Sequence, residues 1–160
     1  MKSIVAALAA LLFVTTAAQA QQGDLSKGFD SYSWGDKCSK LFSGKGWVEE
    51  RSRVVWEKDT KNIEIVYGDD SGEYVLHRNI TEKPARDAGG VLATWFGCRK
   101  SDGAFTFVLM RISLLKYKQL KSYMYQQLGD HTKKFGPTRT WDKDNLYIQL
   151  TQNMILIYHK

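Results

Sequence analysis

The chain has 160 residues and a formal net charge of +6 at pH 7, with 43% of its residues hydrophobic and 12% aromatic. Because it also contains only two prolines, this composition excludes a disordered or low-complexity chain. The length fits one ordinary domain with its own core.

The first 20 residues have the pattern of a cleaved secretory signal peptide. Lys2 precedes an apolar run from Ile4 to Val14, which the small-residue site Ala18-Gln19-Ala20 follows. The run is shorter than the roughly 20 residues that a membrane span needs, so an uncleaved signal anchor is the less favoured alternative. We expect a signal peptide at residues 1–20 and a single periplasmic or secreted domain at residues 21–160, without a transmembrane segment.

Cys38 and Cys98 are the two cysteines of the chain. An oxidising compartment favours a disulfide between them, and the closed loop of about 60 residues would contribute roughly 4 kcal/mol in the chain-entropy model. Two buried thiols are the alternative. A reactive thiol is disfavoured because there is no CxxC motif and the charged neighbours are limited to Lys37 and Arg99.

The first half of the expected mature chain predicts a short helix followed by strands. Asp36 is the predicted N-cap of a helix that ends near Gly44. Turn residues separate the apolar segments that follow, which predicts hairpins of neighbouring antiparallel strands. The predicted strands are Trp47–Lys58, Ile63–Tyr67, Glu73–Ile80 and, after a loop at Thr81–Gly90, Val91–Lys100.

The segment Ala104–Pro137 contains a predicted strand followed by a predicted helix. Phe105–Ile112 is apolar on both alternating faces, which is typical of a strand covered on both sides. From Leu114 to Phe135 the apolar residues recur at steps of three and four, which predicts one long helix between Ser113 as N-cap and Gly136. Its predicted buried face is Tyr117, Leu120, Met124, Leu128, His131 and Phe135.

The predicted fold class is α+β. Gly129 weakens the helix interior by about 1 kcal/mol against alanine, so an earlier helix end there is the alternative. Further strands are predicted at Arg139–Lys143, Tyr147–Leu150 and Met154–Tyr158. Together these elements predict an antiparallel sheet meander with a short N-terminal helix and one long helix packed across one face, closed by two or three C-terminal strands.

Two short motifs carry a resemblance to known proteins: Ser33-Trp34-Gly35, and Lys134-Phe135-Gly136-Pro137 followed by Trp141. The chain resembles a loose class of small exported bacterial α+β domains of unknown function, with Trp-Gly near the mature start and an aromatic residue, glycine and proline after the helix. More distantly, it is similar to envelope modules such as lipoprotein assembly factors and secreted enzyme inhibitors. The resemblance implies fold and export, and it carries over no catalytic residues.

The residue types of catalytic and metal sites do not form a motif in this sequence. His77, His131 and His159 are isolated, without HxH, HExxH or a Cys-His cluster, and there is no GxSxG elbow. Glu49 and Glu50 point to opposite faces of a strand, and Asp69-Asp70 lies in a predicted turn. We therefore predict no catalytic residue, cofactor or metal, and expect His131 to be a hydrogen-bonded, half-buried side chain.

Positive charge is concentrated in the second half of the chain. Residues 21–97 contain 11 basic and 13 acidic side chains, whereas residues 98–160 contain 11 and 4. The ordinary interpretation is a solvated lysine face; the functional one is attraction to an acidic protein or an anionic envelope component. Nucleic acid is not expected, because the chain is predicted to be exported and has no arginine-rich run. The candidate binding surface is Lys116, Lys118, Lys121, Lys133, Lys134 and Arg139.

Three hypotheses of function follow. The favoured one is a non-enzymatic exported domain that binds an envelope component or partner protein through its basic helix face or a sheet face. The second is an inhibitor of a secreted hydrolase that inserts the loop Thr81–Gly90; an acidic hydrolase is the better target, because cationic lysozymes would be repelled. The third is an enzyme whose site is assembled by folding around one of the histidines.

Overall fold

The computed structural model describes residues 24–56, 63–81 and 90–160. The predicted signal peptide, the end of the predicted strand Trp47–Lys58 and most of the predicted loop Thr81–Gly90 lie outside these residues. Within the described residues the fold is mostly a large antiparallel sheet with two helices, α+β in class.

The described ranges contain twelve strands and two helices. The elements up to the disulfide-bonded strand are β1 (Gly28–Phe29), β2 (Tyr32–Ser33), α1 (Cys38–Leu41), β3 (Trp47–Glu50), β4 (Ser52–Trp56), β5 (Ile63–Tyr67), β6 (Tyr74–Asn79) and β7 (Val91–Arg99). The later elements are β8 (Phe105–Ile112), α2 (Leu114–Leu128), β9 (Lys133–Phe135), β10 (Thr138–Asp142), β11 (Leu146–Leu150) and β12 (Met154–His159).

Eight of the described strands form one sheet in the order β3-β6-β7-β8-β12-β11-β10-β9. β8 lies in the interior of this sheet. After β8 the chain packs on one face of the sheet as α2 and then forms β9 at the far edge. It then returns inward, strand by strand, until β12 pairs with β8. The last strand of the chain therefore lies beside the central one.

β8 is buried on both faces of the sheet. Val108 and Met110 belong to the core that α2 covers, and both are at most 3% exposed. Phe107 and Leu109 point to the opposite face, into a second core that the β4–β5 hairpin covers. The continuous apolar run therefore reflects a strand between two layers, as the sequence predicts for Phe105–Ile112.

α2 is shorter than the predicted helix Leu114–Phe135. Ser113 caps its start, where the Ser113 Oγ accepts the backbone N–H of Lys116 at 3.2 Å. At the other end Gly129 adopts φ 72°, a left-handed conformation that glycine tolerates and that ends the helix. Residues 133–135 instead form β9 and pair with β10, so Phe135 is 51% exposed rather than buried.

The predicted strand Trp47–Lys58 is divided between two sheets. β3 is an edge strand of the large sheet and pairs with β6, whereas β4 pairs with β5 in a separate hairpin. The expected pairing of β5 with β6 is therefore wrong. The physical reason is that the apolar side chains of the hairpin, including Ile63 and Val54, cover the second face of the large sheet.

α1 is a single turn whose N-cap is Lys37, with no side-chain cap, rather than Asp36. The backbone of Asp36 has another role, because its carbonyl accepts the N–H of Phe105 at 2.9 Å. Cys38 then forms the predicted disulfide with Cys98. This confirmed bond joins the N-terminal segment to β7.

Removing the disulfide should lower the free energy of unfolding by roughly 4 kcal/mol, because the bond closes a loop with a sequence separation of 60 residues. The double variant Cys38→Ser with Cys98→Ser, compared with the oxidised protein by urea denaturation, measures this loss. A loss below about 1 kcal/mol would contradict the loop-closure account.

Gly97 should not tolerate a side chain. A Cβ there would lie 2.1 Å from Cε1 of Phe107, whose ring is buried in the core beneath the hairpin. We expect Gly97→Ala to cost about 1–3 kcal/mol of unfolding free energy by overpacking. Adding Phe107→Leu should make room, so the double variant should lose less stability than the two single losses combined. Strict additivity in urea denaturation would show that the two sites do not clash.

Candidate binding surface

The structure divides the six basic residues that the sequence groups together. Lys118 is exposed on α2, but Lys116 is only 9% exposed and packs beside Gly90. Lys133 and Lys134 are not on the helix; they lie on the edge strand β9, where neighbouring side chains point to opposite faces. The structure therefore places Lys133 and Lys134 on the sheet, whereas Lys116, Lys118 and Lys121 are on α2.

Tyr117 links Lys121 on α2 to the β9–β10 turn. The ammonium of Lys121 lies 5.6 Å from the centroid of the Tyr117 ring, a cation–π distance. The hydroxyl of Tyr117 donates to the carbonyl of Pro137 in that turn. The helix and the edge of the sheet are thus joined through one tyrosine.

The strand register places Lys134 directly opposite Arg139. Arg139 is two residues before Trp141, so it shares the sheet face that α2 covers. We call Lys121, Lys134 and Arg139 the basic patch. Its members come from three elements, and only the fold brings them together.

Arg139 is held in a fixed orientation. Its Nη1 donates to the carbonyls of Gly136 at 2.7 Å and Thr138 at 3.0 Å. A guanidinium that is already ordered loses little conformational entropy on binding. Its Nε is buried and its Nη1 donates to the two carbonyls, which leaves the N–H groups of Nη2 to donate to carboxylate or phosphate oxygens. The turn therefore holds an ordered hydrogen-bond donor for an anion.

Acidic residues are scarce around the basic patch. Between Asp102 and Asp142 the sequence has one acidic residue, Asp130, and seven basic ones. The ion pairs found among the described residues use other cations, such as Arg53 with Asp69 and Arg78 with Glu50. The positive potential of the patch is consequently not compensated by local carboxylates.

A groove of about 320 Å³ beside the disulfide was not predicted from the sequence. It contains cations, but these have partners: Arg99 pairs with Asp102 at 2.9 Å, and Lys37 and Lys100 donate to backbone carbonyls. No sequence signal marks this groove, because it forms only when β3, β6, β7 and the bridged Cys38 come together. Two carboxylates, Glu49 and Asp102, line the groove together with these cations, whereas the basic patch contains only basic side chains.

His77 lies in this groove and is 8% exposed. Its ring centroid is 5.2 Å from that of Phe42, and the β3–β6 register places Glu49 opposite it. Burial lowers the pKa of His77 below its usual 6.5, and the carboxylate of Glu49 partly opposes this change. The folded protein therefore favours the neutral imidazole.

The other two histidines lie elsewhere. His131 comes after α2, not on its inner face, and its Nδ1 is 2.7 Å from the hydroxyl of Tyr125. The expected half-buried, hydrogen-bonded state is confirmed. His159 stacks on Trp34 with an interplanar angle of 14°. The fold does not bring the three histidines into one cluster.

No protein-family model, curated protein or solved structure matches this chain. Among the described residues, no three His, Cys, Asp or Glu side chains are grouped as a metal site would require. In the same part of the chain, no helix is long and apolar enough to cross a membrane. A function for the basic patch must therefore be inferred from the contacts and charges of its residues.

Lowering the pH from 7.5 to 5.5 should lower the free energy of unfolding, because protonation of His77 is less favourable in the folded protein. The unfolded chain binds a proton near pH 6.5, whereas the folded chain resists it, so acidification favours unfolding. Thermal melts of the wild type and of His77→Gln at both pH values test this. The variant should show a smaller decrease in Tm, and Glu49→Gln a larger one. Equal decreases in wild type and His77→Gln would contradict the assignment.

Proposed function

We propose that this protein is a non-enzymatic exported domain that binds an acidic protein or an anionic envelope component. The observation that carries the proposal is the basic patch. Lys134 lies opposite Arg139 in the strand register, and Tyr117 links Lys121 to the adjoining turn. The ion pairs of the described residues do not involve the three cations of the patch. The disulfide is compatible with an oxidising, extracytoplasmic location.

Binding would begin with long-range attraction to the positive potential of the patch. Arg139 then offers an oriented guanidinium, while Lys121 and Lys134 provide further charges on flexible side chains. Because Lys134 is exposed and Lys121 and Arg139 are only half-buried, their long-range attraction is screened over about 10 Å at 0.1 M salt. Binding should therefore weaken as salt is raised.

Neutralising the basic patch should abolish most of this binding. The test variant combines Lys121→Gln, Lys134→Gln and Arg139→Gln, and the purified protein is mixed with cell-envelope fractions at increasing salt. If each charge contributes about 1 kcal/mol, the triple variant should bind on the order of 100-fold more weakly. Retention is measured by sedimentation.

A matched control changes the net charge by the same amount elsewhere. Lys27, Lys40 and Lys45 are exposed and lie in the first half of the chain, so replacing all three by glutamine leaves the patch intact. This control should bind like the wild type. If the two triple variants lose retention equally, the attraction depends on net charge alone and the basic patch is not the binding site.

A further inference from the structure

Two leucines at the start of α2 are left outside the core. Leu114 is 56% exposed and Leu115 is 67% exposed. They are adjacent in the chain, whereas the other exposed large apolar side chains of the described residues lie at separate positions: Tyr67, Ile80, Leu92 and Phe135. A pair of large apolar side chains in water is unfavourable unless another surface covers it.

The two leucines are held in this outward position. Ser113 caps the helix immediately before them, and its backbone N–H donates to the carbonyl of Gly90 at 2.7 Å. On the opposite side of the helix, Tyr117, Leu120 and Met124 are buried in the core. The helix therefore cannot turn its first leucines inward without removing its buried face from the core.

Lysines follow the leucines along the same side of α2. Lys118 lies three residues after Leu115 and four after Leu114, and Lys121 lies three residues further, so these side chains are neighbours on the helix surface. Arg111, two residues before the cap residue Ser113, is also exposed. From residue 103 to residue 129 the sequence contains no Asp or Glu. Along this side of α2 the exposed side chains are thus apolar in the first turn and cationic in the turns that follow.

We propose that the first turn of α2 docks on an anionic lipid bilayer. Leu114 and Leu115 enter the boundary between head groups and acyl chains, while Lys118 and Lys121 contact lipid phosphates. The charge pattern favours an anionic partner, and a protruding pair of leucines suits a fluid bilayer, which needs no preformed pocket. This inference rests on the proposed function and names its partner as lipid.

The direct test uses vesicles of three parts phosphatidylcholine to one part phosphatidylglycerol, with pure phosphatidylcholine vesicles as the uncharged comparison. The wild type should sediment with the anionic vesicles and much less with the neutral ones. Leu114→Gln with Leu115→Gln should reduce binding at least tenfold through lost apolar burial, and Lys118→Gln about fivefold through one lost charge. Tyr67→Gln, which removes a comparably exposed apolar side chain elsewhere, should bind normally. Circular dichroism establishes that each variant is folded.

Insertion of the first turn of α2 into the bilayer is measured separately by fluorescence quenching. Leu115→Trp adds a tryptophan at the proposed contact, and bromine-labelled phosphatidylglycerol quenches fluorescence only of rings that reach the acyl chains. The matched variant Tyr67→Trp should show no added quenching. If Leu115→Trp is not quenched, or if the double leucine variant binds normally, the leucines do not insert and the proposal is overturned.

The result also separates this inference from the proposed function. Salt-sensitive retention on envelope fractions without sedimentation on anionic vesicles would indicate an acidic protein as the partner and would overturn the lipid proposal alone. Absence of both would overturn both. Binding to anionic vesicles that depends on the leucines and on Lys118 would support the lipid proposal.

Discussion

Burial of β8 on both faces is the constraint on which the rest of the structure depends. An eight-residue strand with apolar side chains above and below must be covered twice, because an uncovered apolar face is costly in water. α2 provides one cover and the β4–β5 hairpin the other. This requirement explains why β4 leaves the large sheet directly after β3, although the two segments read as one strand in the sequence.

The end of α2 at Gly129 shapes the candidate site. A helix continuing to Phe135 would have carried Lys133 and Lys134 along its own surface. Instead the chain turns back and adds β9 to the edge of the sheet, so Lys134 pairs with Arg139. Lysines on an edge strand also discourage further strand pairing, which is a common way to protect such an edge. One glycine thereby determines which basic side chains become neighbours.

Charge compensation distinguishes the two polar regions of the surface. In the groove near the disulfide, the carboxylates of Glu49 and Asp102 lie among the cations, and Asp102 pairs with Arg99 at 2.9 Å. At the basic patch, the anchored guanidinium of Arg139 uses backbone carbonyls and leaves its charge available to a partner. The exposed leucines of α2 lie on the same helix as Lys121, so an apolar contact and a charge contact can act together on one surface.

Local pattern was enough to predict the strand Phe105–Ile112 and the helix start after Ser113, because periodicity and capping depend on neighbouring residues. Counting residue types gave the excess of positive charge in the second half and favoured a disulfide between the two cysteines, with free thiols as the alternative. The tertiary structure decided where α2 ends, why Trp47–Lys58 is divided, and which cations share a surface. Those outcomes depend on strand order and on contacts between residues far apart in the chain, such as Tyr117 with Pro137, and no local pattern encodes them.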